Sequence, residues 1–258
     1  MTTTLSHTWY MLGRQTRNLL RQPIWIFIIL IQPLIWLLLY SQLFRRIVEL
    51  PGFGSDSYIE FLTPGIVVMT AFFSALWSGM AMIEDLDQGV IERFLATPAQ
   101  RTALVLSQVA RSAITAVIQA VIILGLGFLM GARVREGVVG WIVILVAAAL
   151  VAGCFSGLSH GIALLARREP TMIAVANFVG LPLMFLSSTL IATNLMPGWM
   201  QWAAKFNPVH WGVEASREVV HRGADWGAVG VWLALLLGFA AVTSAFATWA
   251  FQAYRRTL

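Results

Sequence analysis

Charged side chains capable of binding a partner protein are concentrated in a segment between two long apolar stretches. The charged residues of this segment are Glu84, Asp85, Asp87, Glu92 and Arg93. A stripe of apolar residues at helical spacing lies among them, formed by Val90, Ile91, Phe94 and Leu95. Thr97 can then cap a new helix that begins at Pro98. The pattern predicts a short surface helix at about 84–97 followed by a fixed bend; the alternative is a solvated loop that obeys the rules of helix capping.

Residues for nucleotide or catalytic chemistry are missing from the sequence. A P-loop requires Gly-Lys-Ser/Thr, and the sole lysine, Lys205, follows alanine and precedes phenylalanine. The four histidines are scattered, and Cys154 alone can form neither an internal disulfide nor a thiolate cluster. We therefore expect no catalytic residue, no metal site and no cofactor bound by this chain. His160 lies in an apolar stretch, where it is either a functional group or a neutral imidazole satisfied by neighbouring serines.

The composition places these residues in a membrane protein. Hydrophobic residues make up 59% of the 258 residues and charged residues only 11%, far below the roughly 25% of soluble domains. Six stretches reach the length of about 20 residues that a membrane-spanning helix needs. The predicted fold is an all-α integral membrane protein of one domain, with six spans at about 24–44, 61–83, 104–131, 139–166, 171–195 and 228–252.

Two segments outside the spans are amphipathic. Residues 5–21 place leucines and Trp9 on one face and arginines on the other, which is typical of a helix in the membrane surface. Residues 207–222 begin with Asn207-Pro208, and we expect Val209, Val213 and Val220 to pack on the bundle. The polar face is predicted to remain in water or headgroups, and it comprises Glu214, Arg217, Glu218, His221 and Arg222. Before it, 170–204 exceeds one span, so the chain is expected to return into the interface after about residue 195.

Basic residues suggest an orientation. With the N-terminus inside, the inner segments hold nine arginines, and the outer segments hold six arginines and the one lysine. The positive-inside rule then places both termini in the cytoplasm. The net charge of +5 lies in short loops between apolar runs, which suits anionic lipid headgroups better than nucleic acid.

With these elements placed, the sequence resembles a type-2 ABC exporter permease of the drug-resistance and polysaccharide-export group. Three stretches carry the resemblance: Arg21-Gln22-Pro23 with Gln32-Pro33, then Gly89-Val90-Ile91-Glu92-Arg93-Phe94-Leu95-Ala96-Thr97-Pro98, then Leu195-Met196-Pro197-Gly198-Trp199 through Asn207-Pro208. Val90 and Phe94 depart from the usual threonine and leucine. The resemblance implies a cell-membrane homodimer with a separate ATPase subunit, which binds ATP and Mg, on each permease.

The resemblance also gives the residues roles. It implies that the segment after the second span couples to the ATPase, through Glu84, Asp85, Gly89, Glu92, Arg93, Phe94, Leu95, Thr97 and Pro98. The segment before the last span is implied to close the exit, and the candidates for this outer gate are Asn207, Pro208, Val213 and Glu214. Polar and aromatic residues of the first, second and fifth spans are candidates for the substrate path: Gln32, Trp36, Thr70, Phe73, Ser74, Trp77, Asn177, Ser187 and Ser188. Serine and threonine in spans also serve simply in helix packing.

The function predicted from the sequence is therefore export of a hydrophobic or amphiphilic compound, such as a drug, driven by a partner ATPase. One alternative is an exporter of polysaccharide or lipid-linked glycan from the same family. The other is a carrier not driven by ATP, or a membrane scaffold. Secondary carriers usually need intramembrane carboxylates or broken helices around an ion, and no acidic residue lies at the centre of a predicted span.

The coupling role of residues 84–98 can be tested by substitution. We expect Glu92→Ala or Pro98→Ala to leave the protein inserted in the membrane but to uncouple ATP hydrolysis from transport, because the lever loses a charge or its bend. Cargo-stimulated ATPase activity and transport of the purified complex measure this. Normal values for both variants would show that the segment is not the lever.

Overall fold

The computed structural model describes residues 23–49, 57–89, 101–220 and 223–255, and the side chains of residues 30–49, 57–89, 105–220 and 223–254. The predicted surface helix at 5–21 and residues 90–97 of the predicted coupling helix lie outside the described residues. The α-helices are α1 (Pro23–Leu43), α2 (Tyr58–Trp77), α3 (Gly79–Asp87), α4 (Arg101–Leu129), α5 (Gly137–Ala166), α6 (Glu169–Phe185), α7 (Gly198–Ala204), α8 (Pro208–Glu218) and α9 (Trp226–Arg255). Short 3-10 turns form at Arg45–Glu49 and Thr193–Leu195.

Four helical stretches in the described part of the chain are long and apolar enough to cross a bilayer. They are Tyr58–Asp87, Val105–Leu129, Gly137–Ala166 and Trp226–Tyr254. Two shorter apolar helices, Leu30–Leu43 and Glu169–Phe185, accompany them. Because lipid offers the backbone no hydrogen-bond partner, a helix satisfies these segments internally. The fold is that of an α-helical integral membrane protein.

Helix α5 is the centre of the bundle and packs against α2, α4, α8 and α9. Small residues on α5 allow this close approach. A Cβ atom at Gly157 would lie 2.9 Å from the backbone carbon of Thr243 in α9, and one at Gly161 would lie 2.4 Å from the Phe246 ring. Close backbone contact at small residues is a common way for helices to associate in membranes, where apolar side chains gain little by leaving lipid.

Helices α1 and α6 lie at the margin of the bundle and leave large apolar side chains uncovered. Phe178 of α6 is 83% exposed and Leu39 of α1 is 61% exposed. Further exposed apolar residues on these two helices are Ile31, Ile35, Leu38, Leu43, Ile173, Leu181 and Phe185. In a membrane such faces contact lipid or another protein, since water would not accommodate them.

The fifth predicted span and the predicted coupling helix differ from the structure. The fifth apolar helix, predicted to reach about residue 195, ends at Phe185, three residues after Pro182. A proline within a helix removes one backbone hydrogen bond and promotes an interruption, and the next residues form turns instead. The coupling helix is predicted at about 84–97. Instead α3 ends at Asp87, and Gly89 adopts a left-handed conformation with φ of 63°, so the chain leaves the helix there.

The close contact at Gly157 gives a stability prediction. We expect Gly157→Ala to destabilise the protein, because the new methyl would press on the α9 backbone, and overpacking typically costs roughly 1–3 kcal/mol. The measurement is the thermal unfolding midpoint in detergent. Gly153→Ala, one turn away, is the matched control, since its methyl would meet atoms no nearer than 3.7 Å. An equal midpoint for both variants would show that the α5–α9 contact is looser than described.

Candidate functional site

A charged cluster lies where α8 meets the turns that follow α6. One oxygen of the Glu214 carboxylate accepts a hydrogen bond from Ser188 at 2.5 Å and another from Thr193 at 3.2 Å. The Arg217 guanidinium donates to the same oxygen at 3.4 Å and to the Ser188 carbonyl at 2.7 Å. His210 Nδ1 lies 3.0 Å from the Ser188 hydroxyl. The cluster therefore connects the turns after α6 to α8 through hydrogen bonds.

Arg217 is the buried cation of this cluster, with 9% of the residue exposed. Its guanidinium carbon lies 3.7 Å from the centroid of the Phe61 ring in α2, a cation–π contact. Burial lowers the pKa of Arg217 to about 10, although the Glu214 carboxylate favours the charged form. The guanidinium is still charged at neutral pH, so α8 carries a fixed positive charge against the second apolar helix.

The pKa values of Glu214 and His210, the two titratable neighbours of Arg217, are each set by opposing causes. Burial raises the pKa of Glu214, but the Arg217 charge and the Ser188 hydrogen bond outweigh burial and leave the pKa below its usual value. Burial lowers the pKa of His210, against the attraction of the Glu214 carboxylate. At neutral pH the cluster is therefore an ion pair beside a neutral imidazole.

The four residues predicted for the outer gate lie together on α8. The Asn207 side chain caps the helix by accepting a hydrogen bond from the Val209 amide at 3.0 Å and donates to the Leu183 carbonyl at 2.6 Å. Pro208 is the first helical residue, and Val213 is fully buried. The expectation that the apolar face packs on the bundle is confirmed.

The expectation for the polar face of α8 is wrong for Arg217, which is buried instead of lying in headgroups. The helix also ends at Glu218, earlier than predicted. The Glu218 carboxylate accepts a hydrogen bond from the Asp225 amide at 3.1 Å, ahead of α9. Arg217 is accommodated because Glu214, the Ser188 carbonyl and the Phe61 ring replace the water it loses.

The residues predicted for the substrate path fall into two groups. Those buried within this chain are Thr70, Ser187 and Ser188. Thr70 bonds its own helix at the Ile66 carbonyl, and Ser187 bonds the Met184 carbonyl. Those wholly or partly exposed are Gln32, Trp36, Phe73, Ser74, Trp77 and Asn177. A path role stays a prediction for both groups.

Only the first part of the predicted coupling segment is described. Glu84 is exposed on α3 and accepts a hydrogen bond from Gln88 at 3.2 Å. Asp85 is partly exposed on the same helix, and Gly89 follows its end. The other predicted coupling residues, Glu92, Arg93, Phe94, Leu95, Thr97 and Pro98, lie outside the described residues.

The comparisons with known proteins agree with this architecture. The family model for ABC-2 type transporters matches residues 6–221. The chain belongs to the ABC-2 type transporter family. This membership confirms the resemblance to a type-2 ABC permease, and it implies association with an ABC ATPase.

Three relatives illustrate the range of this ABC-2 permease family. A daunorubicin resistance ABC transporter permease from Streptomyces coeruleorubidus is 28% identical, over 93% of this chain and 82% of the relative. A putative transport permease of Cyanophora paradoxa is 30% identical, over 81% of this chain and 72% of the relative. A probable doxorubicin resistance permease from Mycobacterium tuberculosis is 21% identical, over 63% of this chain and 58% of the relative.

Some residues of this ABC-2 permease were not identified from the sequence. Glu60, at the start of α2, pairs with Arg135 at 3.6 Å. The interpretation of His160 as an imidazole satisfied by a neighbouring serine is supported, since its Nδ1 lies 2.7 Å from the Ser156 carbonyl and 3.1 Å from the Ser156 hydroxyl. For Glu60 the available signal in the sequence was a glutamate directly before an apolar stretch, because such a charge needs a partner when it is buried.

The lowered pKa of His210 predicts acid sensitivity. Because its folded pKa lies below the usual 6.5, the unfolded chain takes up this proton first, and stability falls as pH drops below about 6.5. The lowered pKa of Glu214 also reduces stability in acid, but only below about pH 4.5, the usual pKa of a glutamate. We expect the unfolding midpoint in detergent to fall between pH 7.5 and 5, and His210→Gln to reduce this fall. An unchanged pH profile in His210→Gln would contradict the assignment.

Proposed function

We propose that this chain is the membrane permease of an ATP-driven exporter that moves a hydrophobic or amphiphilic compound out of the cytoplasm or the inner leaflet. The observation that carries the proposal is the family match over residues 6–221, in a chain that contains no P-loop. ATP must then act through a separate subunit, and the force has to enter this chain through a contact between proteins.

The proposed topology has six spans with both termini in the cytoplasm. Helix α1 has 21 residues, and at 1.5 Å per residue it is about 31 Å long, enough for the hydrocarbon core. Helix α6 has 17 residues and is about 25 Å long, so the turns up to residue 192 complete its crossing. The nine-to-seven distribution of basic residues supports this orientation.

We place the cargo path between two permease copies. The interior around α5 is filled by side chains, among them Ile144, Ala148 and Val151, each fully buried. The exposed apolar faces of α1 and α6, with Gln32 and Asn177 among them, suit a second copy and an amphiphile passing beside it. The names of two relatives mention daunorubicin and doxorubicin resistance, which supports a drug-like cargo.

The two ends of the bundle are proposed to have separate roles. The segment beginning with Glu84 and Asp85 contacts the ATPase, while α8 with its Glu214–Arg217 cluster closes the exit at the opposite end. The attachment of α8 to the end of α6 supports the second role. Asn207 donates to the Leu183 carbonyl in the last turn of α6, and Arg217 donates to the Ser188 carbonyl just beyond it.

The orientation can be tested by labelling. In a Cys154→Ala background, single cysteines at Ser55 and Asp225 should react with an impermeant thiol reagent on intact cells, because both residues are then outside; Asp225 is exposed, whereas its neighbour Ala224 is buried. Cysteines at Gln88 and Thr257 should react only after the cells are opened. External labelling at Gln88 would overturn the orientation and the coupling role together.

Transport itself can be tested with the reconstituted complex. We expect the chain to co-purify with an ABC ATPase, and proteoliposomes to move daunorubicin, the probe, in an ATP-dependent manner. Vesicles with a hydrolysis-deficient ATPase are the control. ATP-dependent movement of a lipid-linked glycan without daunorubicin would favour the glycan exporter. Failure to retain any ATPase would favour the carrier or scaffold and contradict the proposal.

A further inference from the structure

The apolar stretch Tyr58–Asp87 is interrupted inside the bundle at Ser78, where α2 ends and α3 begins. The Ala75 carbonyl accepts hydrogen bonds from the Ser78 amide at 3.2 Å and from the Ser78 hydroxyl at 2.6 Å. In an unbroken α-helix this carbonyl would instead accept from the amide of Gly79. The Gly79 amide is released from its own helix and needs another partner.

That partner comes from α5. The buried Ser159 hydroxyl accepts a hydrogen bond from the Gly79 amide at 3.0 Å and donates one to the Leu76 carbonyl at 2.5 Å. A single hydroxyl can do both, since it has one donor and two acceptor positions. One side chain of α5 therefore bridges the two sides of the break.

Glycine is required at position 79 by the closeness of α5. A Cβ atom there would lie 2.5 Å from the Ser159 hydroxyl, 2.7 Å from the Ser159 carbonyl oxygen and 2.8 Å from Met172 Cε in α6. The start of α3 is thus pressed against α5 and α6. We call the Ser78–Gly79 break, together with Ser159, the serine joint.

The serine joint lies at the boundary between two separate apolar clusters. The larger cluster contains residues such as Leu76, Ala116, Phe155 and Leu236, and the smaller contains Met82, Val105, Ala163 and Ala247. On each of the elements that carry these residues, a polar residue lies between its larger-cluster residue and its smaller-cluster residue. The polar residues are Ser78 between α2 and α3, Ser112 on α4, Ser159 on α5 and Thr243 on α9.

Hydrogen bonds cross this polar layer between helices. The Ser156 hydroxyl of α5 donates to Ser112 of α4 at 2.9 Å, and the Ser78 hydroxyl lies 3.5 Å from Ser156. Interdigitated apolar side chains resist displacement, because close packing leaves no space to slide. A hydroxyl can instead rotate and exchange one partner for another. At this layer the two clusters therefore meet through hydrogen bonds that can be exchanged, and the second span is broken there while α4, α5 and α9 continue through it.

We propose that Ser159 is a positioning residue of the coupling step: through the serine joint it holds α3 in register with α5, so that α3 and the smaller cluster turn as one unit. The proposal rests on the proposed function, in which the ATPase moves the segment that begins on α3. Met82 and Ile83 of α3 are buried in the smaller cluster, so a push on the Asp87 end reaches α4, α5 and α9 together.

The test compares Ser159→Ala with Thr248→Val; among the described residues, the Thr248 hydroxyl donates to the Ser244 carbonyl of its own helix, α9, and not to another helix. Spin labels on cysteines at Asp87 and Val138, in Cys154→Ala, report the distance between the end of α3 and the start of α5. In the complex with the ATPase, we expect Ser159→Ala to broaden this distance distribution and to lower cargo moved per ATP about five- to tenfold, because the two buried hydrogen bonds of the Ser159 hydroxyl are lost. Thr248→Val should match the unsubstituted protein.

Gly79→Ala provides a second variant, which keeps the hydroxyl but forces α3 away from α5. We expect it to broaden the distance distribution as well, with the ATPase still bound and the chain still folded by thermal unfolding. Ser159→Ala with an unchanged distance distribution and an unchanged ratio of transport to hydrolysis would overturn the proposal.

The design separates this proposal from the proposed function. If the unsubstituted complex shows no ATP-driven transport, the exporter assignment fails, and Ser159 is then judged on the spin-label distances of the chain alone. Broadening in Ser159→Ala but not in Thr248→Val would still support the joint, and identical distributions would reject it.

Discussion

In the hydrocarbon core of a membrane, a backbone amide or carbonyl released from its helix finds no water, and leaving it unpaired costs several kcal/mol. Two helices of this bundle are nevertheless interrupted, after Trp77 and after Phe185. At each interruption another element supplies side-chain partners. Ser159 serves the Gly79 amide and the Leu76 carbonyl at the first.

Three side chains from two elements, α8 with its N-cap and α2, serve the second interruption. Asn207 donates to the Leu183 carbonyl, Arg217 donates to the Ser188 carbonyl, and the Tyr58 hydroxyl donates to the Leu190 carbonyl at 3.2 Å. The two breaks differ in the chemistry of these partners. A neutral hydroxyl bridges the break in the second half of the span Tyr58–Asp87, whereas a charged guanidinium is used at the α8 end, where its carboxylate partner is still partly exposed. Charge is thus placed where its desolvation is least costly.

The sequence predicted the features that depend on composition and local spacing. Apolar stretches located the four helices that are long and apolar enough to cross a bilayer, and Asn207-Pro208 located the start of α8, because a cap acts within two or three residues of itself. The sequence did not predict the burial of Arg217, since periodicity alone grouped it with Glu218 on a polar face. The Glu214 carboxylate that pairs with Arg217 is only three residues away, but the burial of Arg217 also depends on the Ser188 carbonyl, 29 residues away, and on the Phe61 ring of α2. Contacts of that range leave no local pattern.

The serine joint was hidden for a related reason. Ser78-Gly79 lies in a stretch that hydropathy treats as one continuous span, and serine within a membrane helix is commonly satisfied by its own backbone, as Thr70 is at the Ile66 carbonyl. The sequence suggested Ser156 and Ser159 as partners for His160. Ser156 is such a partner, whereas Ser159 serves the neighbouring span. Pairing between helices determined which serine had which role.

The filled interior constrains how such a protein can transport anything. A channel through one chain would need α5 to be displaced, yet α5 is held on several sides by α2, α4 and α9 through buried contacts at Ile144, Val151 and Phe155. A cargo path at the surface avoids this, because the weakly held α1 and α6 can move without opening the core. In the proposed mechanism, movement is conveyed from the ATPase side to those margins. Met172 of α6 belongs to the smaller apolar cluster and contacts the joint at Gly79, so a turn of α3 acts directly on the marginal helix that would line the path.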